Sequence, residues 1–262
     1  MPLMETFVPG TFCWADLGSP DAAAAKHFYT SLFGWTAEDR PMGTDAVYTM
    51  LAVGGRPVAA LYQQDPAQQG LPPQWLSYIS VNNADVAAHR ALELGGTVLM
   101  EPFDVLGVGR MALLQDPTGA VVALWEPRSH AGAALVGEPG SIGWNELDTN
   151  DVIRAGRFYQ ALFGWTARAR PLDTGIYTTF SGADGPRGGM RSSLAEGECG
   201  TPHWLIYFAV TDCAASAAAA QALGGMVRLP PTHVPAVGRF ALLADPQGAA
   251  FAVVQVSQVQ GG

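Results

Sequence analysis

The sequence predicts an α+β protein of two tandem domains, because one half of the chain repeats the other. The ten residues from Phe28 return with two changes at Phe158, an offset of 158 − 28 = 130. The Asp-Pro-Thr-Gly-Ala turn at 116–120 recurs as Asp-Pro-Gln-Gly-Ala at 245–249. A unit of this length exceeds the roughly 20–50 residues of a solenoid repeat. The predicted parts are a first domain at 1–127, a linker at 128–140 and a second domain at 141–262.

The first domain begins with a predicted strand and helix. Residues 11–17 alternate between two faces, as expected for a strand. A helix follows, with Ser19 as its expected N-cap and Pro20 at its first position. Apolar residues recur at every fourth position over 24–32, and Gly34 ends the helix.

The remainder of the domain repeats this order of elements. Short strands interrupted by glycine-containing turns are predicted within 35–62. After a polar loop, a strand, a helix and three strands are predicted at 75–81, 84–94, 97–100, 110–115 and 120–125. Each domain is therefore two copies of a β-α-β-β-β module.

This doubled module resembles the vicinal oxygen chelate superfamily, which contains glyoxalase I, the bleomycin-resistance proteins and the extradiol dioxygenases. The resemblance rests on a first helix ending in Phe-Tyr-x-x-Leu-Phe-Gly-Trp and a last strand opening with Asp-Pro-x-Gly-Ala, in both halves. Within the superfamily, the chain is most similar to tandem two-domain glyoxalase-like proteins of actinobacteria. The resemblance implies that the paired modules of each domain form a curved sheet with a cup-shaped cavity.

The positions at which the resemblance places metal ligands lack them in both domains. Metal-using relatives take His, Gln or Glu from the first and fifth strands and typically Glu from the fourth and eighth. Carried over by register, the first-, fifth- and eighth-strand positions fall on Phe12, Leu76 and Ala123, and on Ile142, Leu205 and Ala252. The fourth-strand windows, 58–60 and 187–189, contain neither His nor carboxylate. A catalytic divalent ion requires such donors, so we expect no metal. The glycines of 107–109 lack the following glycine and helix of a dinucleotide fingerprint, so we expect no other cofactor.

The residues that share a strand face with these positions predict an aromatic and partly acidic cup lining. Alternate residues of a strand lie on one face. The expected ligand contacts are Phe12, Trp14, Gln74, Tyr78, Trp144 and Tyr207. Asp16, Glu146 and His203 are the expected acid–base residues, because carboxylates and imidazole are common proton-transfer groups.

Each of these side chains also has a structural interpretation. Trp14 and its counterpart can fill a core. Asp16 and Glu146 precede a helix, where a carboxylate often caps the N-terminus, and the tyrosine hydroxyls can bond to the backbone. His203, whose counterpart in the first half is Gln74, is the main asymmetry between the cups. It favours the second cup if only one of them functions.

Three functions remain open at this point. The first is binding of an apolar or aromatic, natural-product-like molecule, with metal-independent lyase, isomerase or hydroxylase chemistry of secondary metabolism as an option. The second is a ligand-sequestering resistance protein without catalysis. The third is a divalent-metal glyoxalase-like lyase, which the substituted ligand positions oppose.

Composition narrows the class of partner. The net charge of −9 opposes nucleic-acid binding, which needs clustered Lys and Arg. Three unpatterned cysteines indicate a reducing cytoplasm, and no apolar stretch is long enough to span a membrane. We expect a cytoplasmic protein with a small-molecule ligand or substrate, no nucleic-acid or membrane partner, and a monomeric or homodimeric state.

Overall fold

The computed structural model describes residues 5–43, 46–65, 72–172, 175–192, 200–234 and 237–256. The first half contains β1 (Phe12–Ser19), α1 (Ala22–Phe33), β2 (Thr36–Met42), β3 (Ala46–Val53), β4 (Arg56–Gln63), β5 (Gln74–Ser80), α2 (Ala84–Glu93), β6 (Thr97–Val105), β7 (Gly109–Gln115) and β8 (Val121–Pro127). The second half contains β9 (Ile142–Thr149), α3 (Val152–Phe163), β10 (Thr166–Leu172), β11 (Gly175–Gly182), β12 (Gly185–Ser192), β13 (His203–Ala209), α4 (Cys213–Ala222), β14 (Met226–Val234), β15 (Gly238–Ala244) and β16 (Ala250–Val256).

Each half forms one mixed eight-stranded sheet, which confirms the predicted α+β fold of paired modules. The strand order in the first half is β2-β3-β4-β1-β5-β8-β7-β6, and the second half has the equivalent order. The first strands of the two modules, β1 and β5, pair antiparallel at the centre. Each also pairs in parallel with the last strand of its own module. Four central strands therefore contribute side chains to the middle of one curved sheet.

The two halves pack against each other through the helical sides of their sheets. α1 contacts its own sheet and α4, and α3 is placed in the same way against α2. One buried cluster contains Phe28 and Trp35 of the first half beside Phe208 and Phe251 of the second. A second cluster combines Phe158 with residues of β5, β7 and β8. The halves therefore share their two largest cores instead of each burying its own.

The repeated sequence motifs form this contact between the halves. Trp35 Nε1 donates to the carbonyl oxygen of Gly140 at 2.7 Å, and Trp165 Nε1 donates to that of Gly10 at 2.9 Å. The Tyr29 hydroxyl, which lies next to Phe28 in the motif, donates to a carboxylate oxygen of the Asp-Pro-Gln-Gly turn of the other half at 3.2 Å. Both copies of the motifs thus serve the association of the halves as well as the fold of each.

One local prediction differs from the structure. Ser19 does not cap α1: the Asp21 side chain accepts from the Ala24 amide, and the helix begins after Asp21. The segment predicted as a linker packs closely on the first half. The Ala133 amide donates to the carbonyl oxygen of Cys13 at 2.8 Å, and Ala133 is buried. This segment therefore forms part of the wall of the first half.

Within the described residues, no helix combines the length and apolar character needed to cross a bilayer. Cys13 and Cys213 are free, buried thiols. Burial raises the pKa of the Cys213 thiol, so it is not an activated nucleophile. Cys199 lies outside the described residues.

Candidate functional site

The face of the first sheet opposite the helices is an aromatic surface that we call the first cup. Its buried residues include Trp14, Met50, Tyr78 and Trp125. Partly exposed side chains complete the surface, namely Tyr48, Leu76, Met111 and Leu113. Their partial exposure indicates that a molecule in solution can reach this surface.

The prediction that Phe12 lies in the first cup is wrong. The register of β1 against β5 shifts between Phe12 and Trp14, so strict alternation fails at this bulge. Phe12 instead packs in the core between the halves, with ring centroids 6.0 Å from Trp165 and 4.9 Å from Trp204. Ile142 is displaced in the same way and belongs to the other shared core.

Asp16 lies at the centre of the first cup with its two oxygens in different surroundings. Oδ2 accepts from the Tyr78 hydroxyl at 2.7 Å and from the Tyr48 hydroxyl at 3.0 Å. Tyr48 in turn accepts from Trp14 Nε1 at 2.9 Å. Oδ1 is buried and has no hydrogen-bond partner. One carboxyl oxygen is therefore fixed by two protein donors, and the other is buried without a donor.

Burial raises the pKa of Asp16 to about 6, and the hydrogen bonds from Tyr78 and Tyr48 only partly oppose this effect. Among the described residues, no Lys or Arg forms an ion pair with Asp16. Helix capping does not explain the residue either, since Asp21 caps α1. Asp16 is thus a buried carboxyl that can hold or release a proton near neutral pH.

The equivalent face of the second sheet, the second cup, repeats this arrangement with a different charge balance. The Tyr207 hydroxyl donates to Glu146 Oε1 at 2.9 Å, and Trp144 Nε1 donates to the Tyr177 hydroxyl at 2.9 Å. Arg191 Nε lies 3.2 Å from Glu146 Oε1, an ion pair without hydrogen-bond geometry. Burial raises the pKa of Glu146, and the Arg191 charge opposes the rise.

The positions beside the two carboxyls explain this difference. Arg191 occupies the position of Tyr62, because 62 + 129 = 191. Arg191 also forms an ion pair of 2.8 Å with Asp148, which occupies the position of Gly18. The second carboxyl therefore has a cation beside it, and the first has a phenol.

Gln74 and His203 lie at the exposed first residues of β5 and β13. His203 Nδ1 is 2.9 Å from the carbonyl oxygen of Thr201, and His203 pairs in register with Asp148. Among the described residues, no hydrogen bond or ion pair joins His203 to Glu146. The structure thus brings Glu146 and Tyr207 together at the cup centre and leaves His203 at its edge.

Several side chains of the two cups were not predicted from the sequence, among them Tyr48, Tyr177, His130 and Arg191. The sequence does mark the two tyrosines as equivalent, because Val47-Tyr48-Thr49 recurs as Ile176-Tyr177-Thr178 at an offset of 129. No such signal was present for His130, which comes from the predicted linker. Its ring makes an edge contact with Trp14 at 4.7 Å between centroids.

The donor set of the first cup does not fit a divalent metal. Asp16 pairs in register with Ala60 of β4 and Leu76 of β5, and Tyr78 pairs with Ala123 of β8. On the cup face, the four central strands thus supply the Asp16 carboxylate, the Tyr78 phenol bonded to it and the Tyr62 phenol beside it. In the described part of the chain, no group of three or more His, Cys, Asp or Glu could hold a metal ion.

Replacing Gly189 by Ala is expected to destabilise the second cup. A Cβ at 189 would overlap the Tyr177 hydroxyl and lie 2.9 Å from Trp144 Nε1. Overpacking of this kind costs about 1–3 kcal/mol, which a urea midpoint would detect. The matched control is Gly200→Ala, since a Cβ there has no atom within 4 Å. Equal midpoints for the two variants would contradict the packing described here.

Each half of the chain is similar to a known protein family over nearly its whole length. A family model described as "Glyoxalase/Bleomycin resistance protein/Dioxygenase superfamily" matches residues 12–124, and one described as "Glyoxalase-like domain" matches residues 144–254. "Putative glyoxylase CFP32" of Mycobacterium bovis is 42% identical over 99% of this chain and 100% of its own length. "Anthracycline biosynthesis protein DauV" of Streptomyces sp. (strain C5) is 40% identical over 97% of this chain and 96% of its own.

Solved structures support the same fold at much lower identity. The Mn(II)-bound glyoxalase from Novosphingobium aromaticivorans has a TM-score of 0.67 and 16% identity, covering 94% of this chain and 82% of its own. The 2,2',3-trihydroxybiphenyl 1,2-dioxygenase from Sphingomonas wittichii has a TM-score of 0.65 and 12% identity, covering 97% of this chain and 93% of its own. These likenesses concern the fold alone.

Proposed function

Because the chain belongs to the glyoxalase/bleomycin resistance protein/dioxygenase superfamily, we propose that its first cup binds a small, largely aromatic molecule. Asp16 exchanges a proton with this molecule, and no divalent metal takes part. The observation that carries the proposal is the unpartnered Oδ1 of Asp16.

The unpartnered oxygen supports binding of a ligand that donates a hydrogen bond. A buried acceptor without a partner costs about 1–3 kcal/mol, and a ligand O–H or N–H at Oδ1 recovers this energy. Tyr48 and Tyr78 hold Oδ2 and thereby fix the direction in which Oδ1 points. Ionised Asp16 takes the ligand's proton at Oδ1, and protonated Asp16 returns it.

The lining supports an aromatic ligand. Trp14, Tyr48 and Trp125 place several ring surfaces around Asp16, and rings of this kind favour offset-stacked or edge contacts with other rings. Relatives named for anthracycline biosynthesis suggest a polycyclic aromatic compound. The pKa of Asp16 near 6 populates both of its protonation states close to neutral pH, as proton transfer requires.

A different role suits the second cup. Glu146 is paired with Arg191, so its charge is compensated before any ligand arrives. This pairing favours binding without proton transfer, the sequestering function, in that cup. We therefore assign the acid–base chemistry to Asp16 in preference to Glu146 and His203.

Replacing Trp14 by Phe is expected to weaken binding of a flat aromatic probe by about tenfold, which corresponds to roughly 1.4 kcal/mol. The variant loses ring area in the first cup and the Nε1 bond that positions Tyr48. The measurement is a titration with an anthracyclinone, followed through quenching of tryptophan fluorescence.

Trp144→Phe is the matched control, because Trp144 makes the same bond to Tyr177 in the second cup. This variant is expected to leave the affinity for the anthracyclinone unchanged. If Trp144→Phe weakens binding and Trp14→Phe does not, the ligand site has been assigned to the wrong cup.

A further inference from the structure

We propose a second binding site, outside both cup centres, for a small molecule that carries a carboxylate. The site is a cavity of about 700 Å³ at the start of α4, which we call the α4 cavity. Its described lining includes Pro139, Val210, Ala214, His233, Arg239 and Val254. Arg239 is the group that binds the carboxylate.

The equivalent position in the first half shows what this arginine does when it is structural. Arg110 corresponds to Arg239, since 110 + 129 = 239. Arg110 donates to both carboxylate oxygens of Asp85 at 2.8 Å and to Asp104 at 3.0 Å. Its guanidinium is therefore fully engaged by acidic neighbours.

The second half has lost both of these acidic partners. Asp85 corresponds to Ala214, and Asp104 corresponds to His233, at the same offset of 129. Both replacements line the α4 cavity. Among the described residues, no carboxylate lies within ion-pairing distance of Arg239. Arg239 thus keeps its charge and its planar set of donors without the partners that occupy them in the first half.

The space for a ligand arises from a third replacement. Trp125 of the first half packs its ring so closely over Gly109 that a Cβ there would overlap the indole. In the second half this position is Val254, beside Gly238. The smaller side chain leaves room where the indole lies in the first half. An apolar wall beside an unpaired arginine suits a molecule with an apolar body and an anionic end.

Asp212 is the single acidic side chain among the described lining residues, and it limits the affinity for an anion. Its Oδ1 accepts from the amides of Ala214 and Ala215, as the N-cap of α4. Asn83 caps α2 in the same way in the first half. An Asn at 212 can therefore keep the cap while removing the negative charge.

The test of this site compares the binding of two probes to the protein and to variants of Arg239. Benzoate and its uncharged analogue benzamide serve as probes, and backbone amide shifts of ¹⁵N-labelled full-length protein report binding. Benzoate is expected to shift the amides of Thr211, Ala214 and Gly238 and to bind about tenfold more tightly than benzamide. Arg239→Gln should abolish this preference, and Arg239→Lys should retain part of it.

Three further variants establish whether benzoate binds in the α4 cavity or elsewhere on the protein. Asp212→Asn is expected to tighten benzoate binding a few-fold, because it removes a like charge. Arg110→Gln and Asp16→Asn are expected to leave it unchanged, so failure here is distinct from failure of the function proposed for the first cup. Equal affinity for benzoate and benzamide overturns the proposal. A benzoate preference that survives Arg239→Gln, or shifts confined to the first cup, also overturns it.

Discussion

Replacing Phe28 by Ala is expected to lower the free energy of unfolding of the whole chain by about 3–5 kcal/mol. Phe28 is 2% exposed and lies in the core that both halves share. Its ring edge lies so close to Gly225 of the other half that a Cβ added to this glycine would stand 3.0 Å from the ring. Phe158→Ala should have an equal effect, because Phe158 occupies the matching place against Gly96.

Chemical denaturation followed by both fluorescence and circular dichroism measures this effect. Because the cores are shared, each variant should still unfold in a single transition. Ile153→Ala on α3 is the control, since that side chain is 66% exposed and should change stability by less than about 0.5 kcal/mol. Two separate transitions, or a large effect confined to one half, would show that the halves are independent domains.

Replacing Asp16 by Asn is expected to stabilise the protein by about 3 kcal/mol at pH 8, the equivalent of roughly two pKa units at 1.36 kcal/mol each. Asn keeps an oxygen for the hydroxyls of Tyr48 and Tyr78, and it cannot ionise. The same variant should lose proton transfer to the ligand. A gain in stability together with a loss of activity is expected where a site stores an unfavourable charge.

The pH dependence of this gain has a defined sign. The pKa of Asp16 is raised from 3.8 in the unfolded chain to about 6 in the folded protein. Between about pH 4 and 6, the unfolded chain therefore releases the proton while the folded protein retains it, and wild-type stability falls as pH rises. The two proteins should be nearly equal in stability near pH 4 and differ fully above pH 6.

Glu146→Gln is the matched variant in the second cup. Its stabilisation at pH 8 should be smaller, because the Arg191 charge already offsets part of the burial cost of the carboxylate. Unfolding curves at pH 4 and pH 8 for both variants provide the comparison. If Asp16→Asn is less stable than wild type at pH 8, the carboxylate is compensated by something other than the two tyrosines.

The fold was predictable from sequence because its signals are local. The Leu-Phe-Gly-Trp motif ends α1 and α3 at Gly34 and Gly164, which take the left-handed conformation that favours glycine. What local patterns did not reveal is that the same motifs join the two halves. The bond from Tyr29 to Asp245 spans 216 residues, and no periodicity within one half reports it.

The candidate site was only partly predictable for a similar reason. Strand alternation correctly placed Trp14, Asp16 and Tyr78 on one face, and it failed at Phe12 because a bulge leaves no clear mark in the sequence. The partner of Asp16 on β3, Tyr48, is separated from it by 32 residues. Pairing of β1 with β4 and of β4 with β3 brings the two together, and that requires the sheet order.

Asp16, a buried carboxyl without a compensating cation, is expected to titrate near neutral pH. A ¹³C NMR titration of the Asp16 carboxyl carbon in the full-length protein, assigned by comparison with Asp16→Asn, measures this directly. The expected pKa is about 6. A pKa at or below the usual aspartate value of about 4 would contradict it.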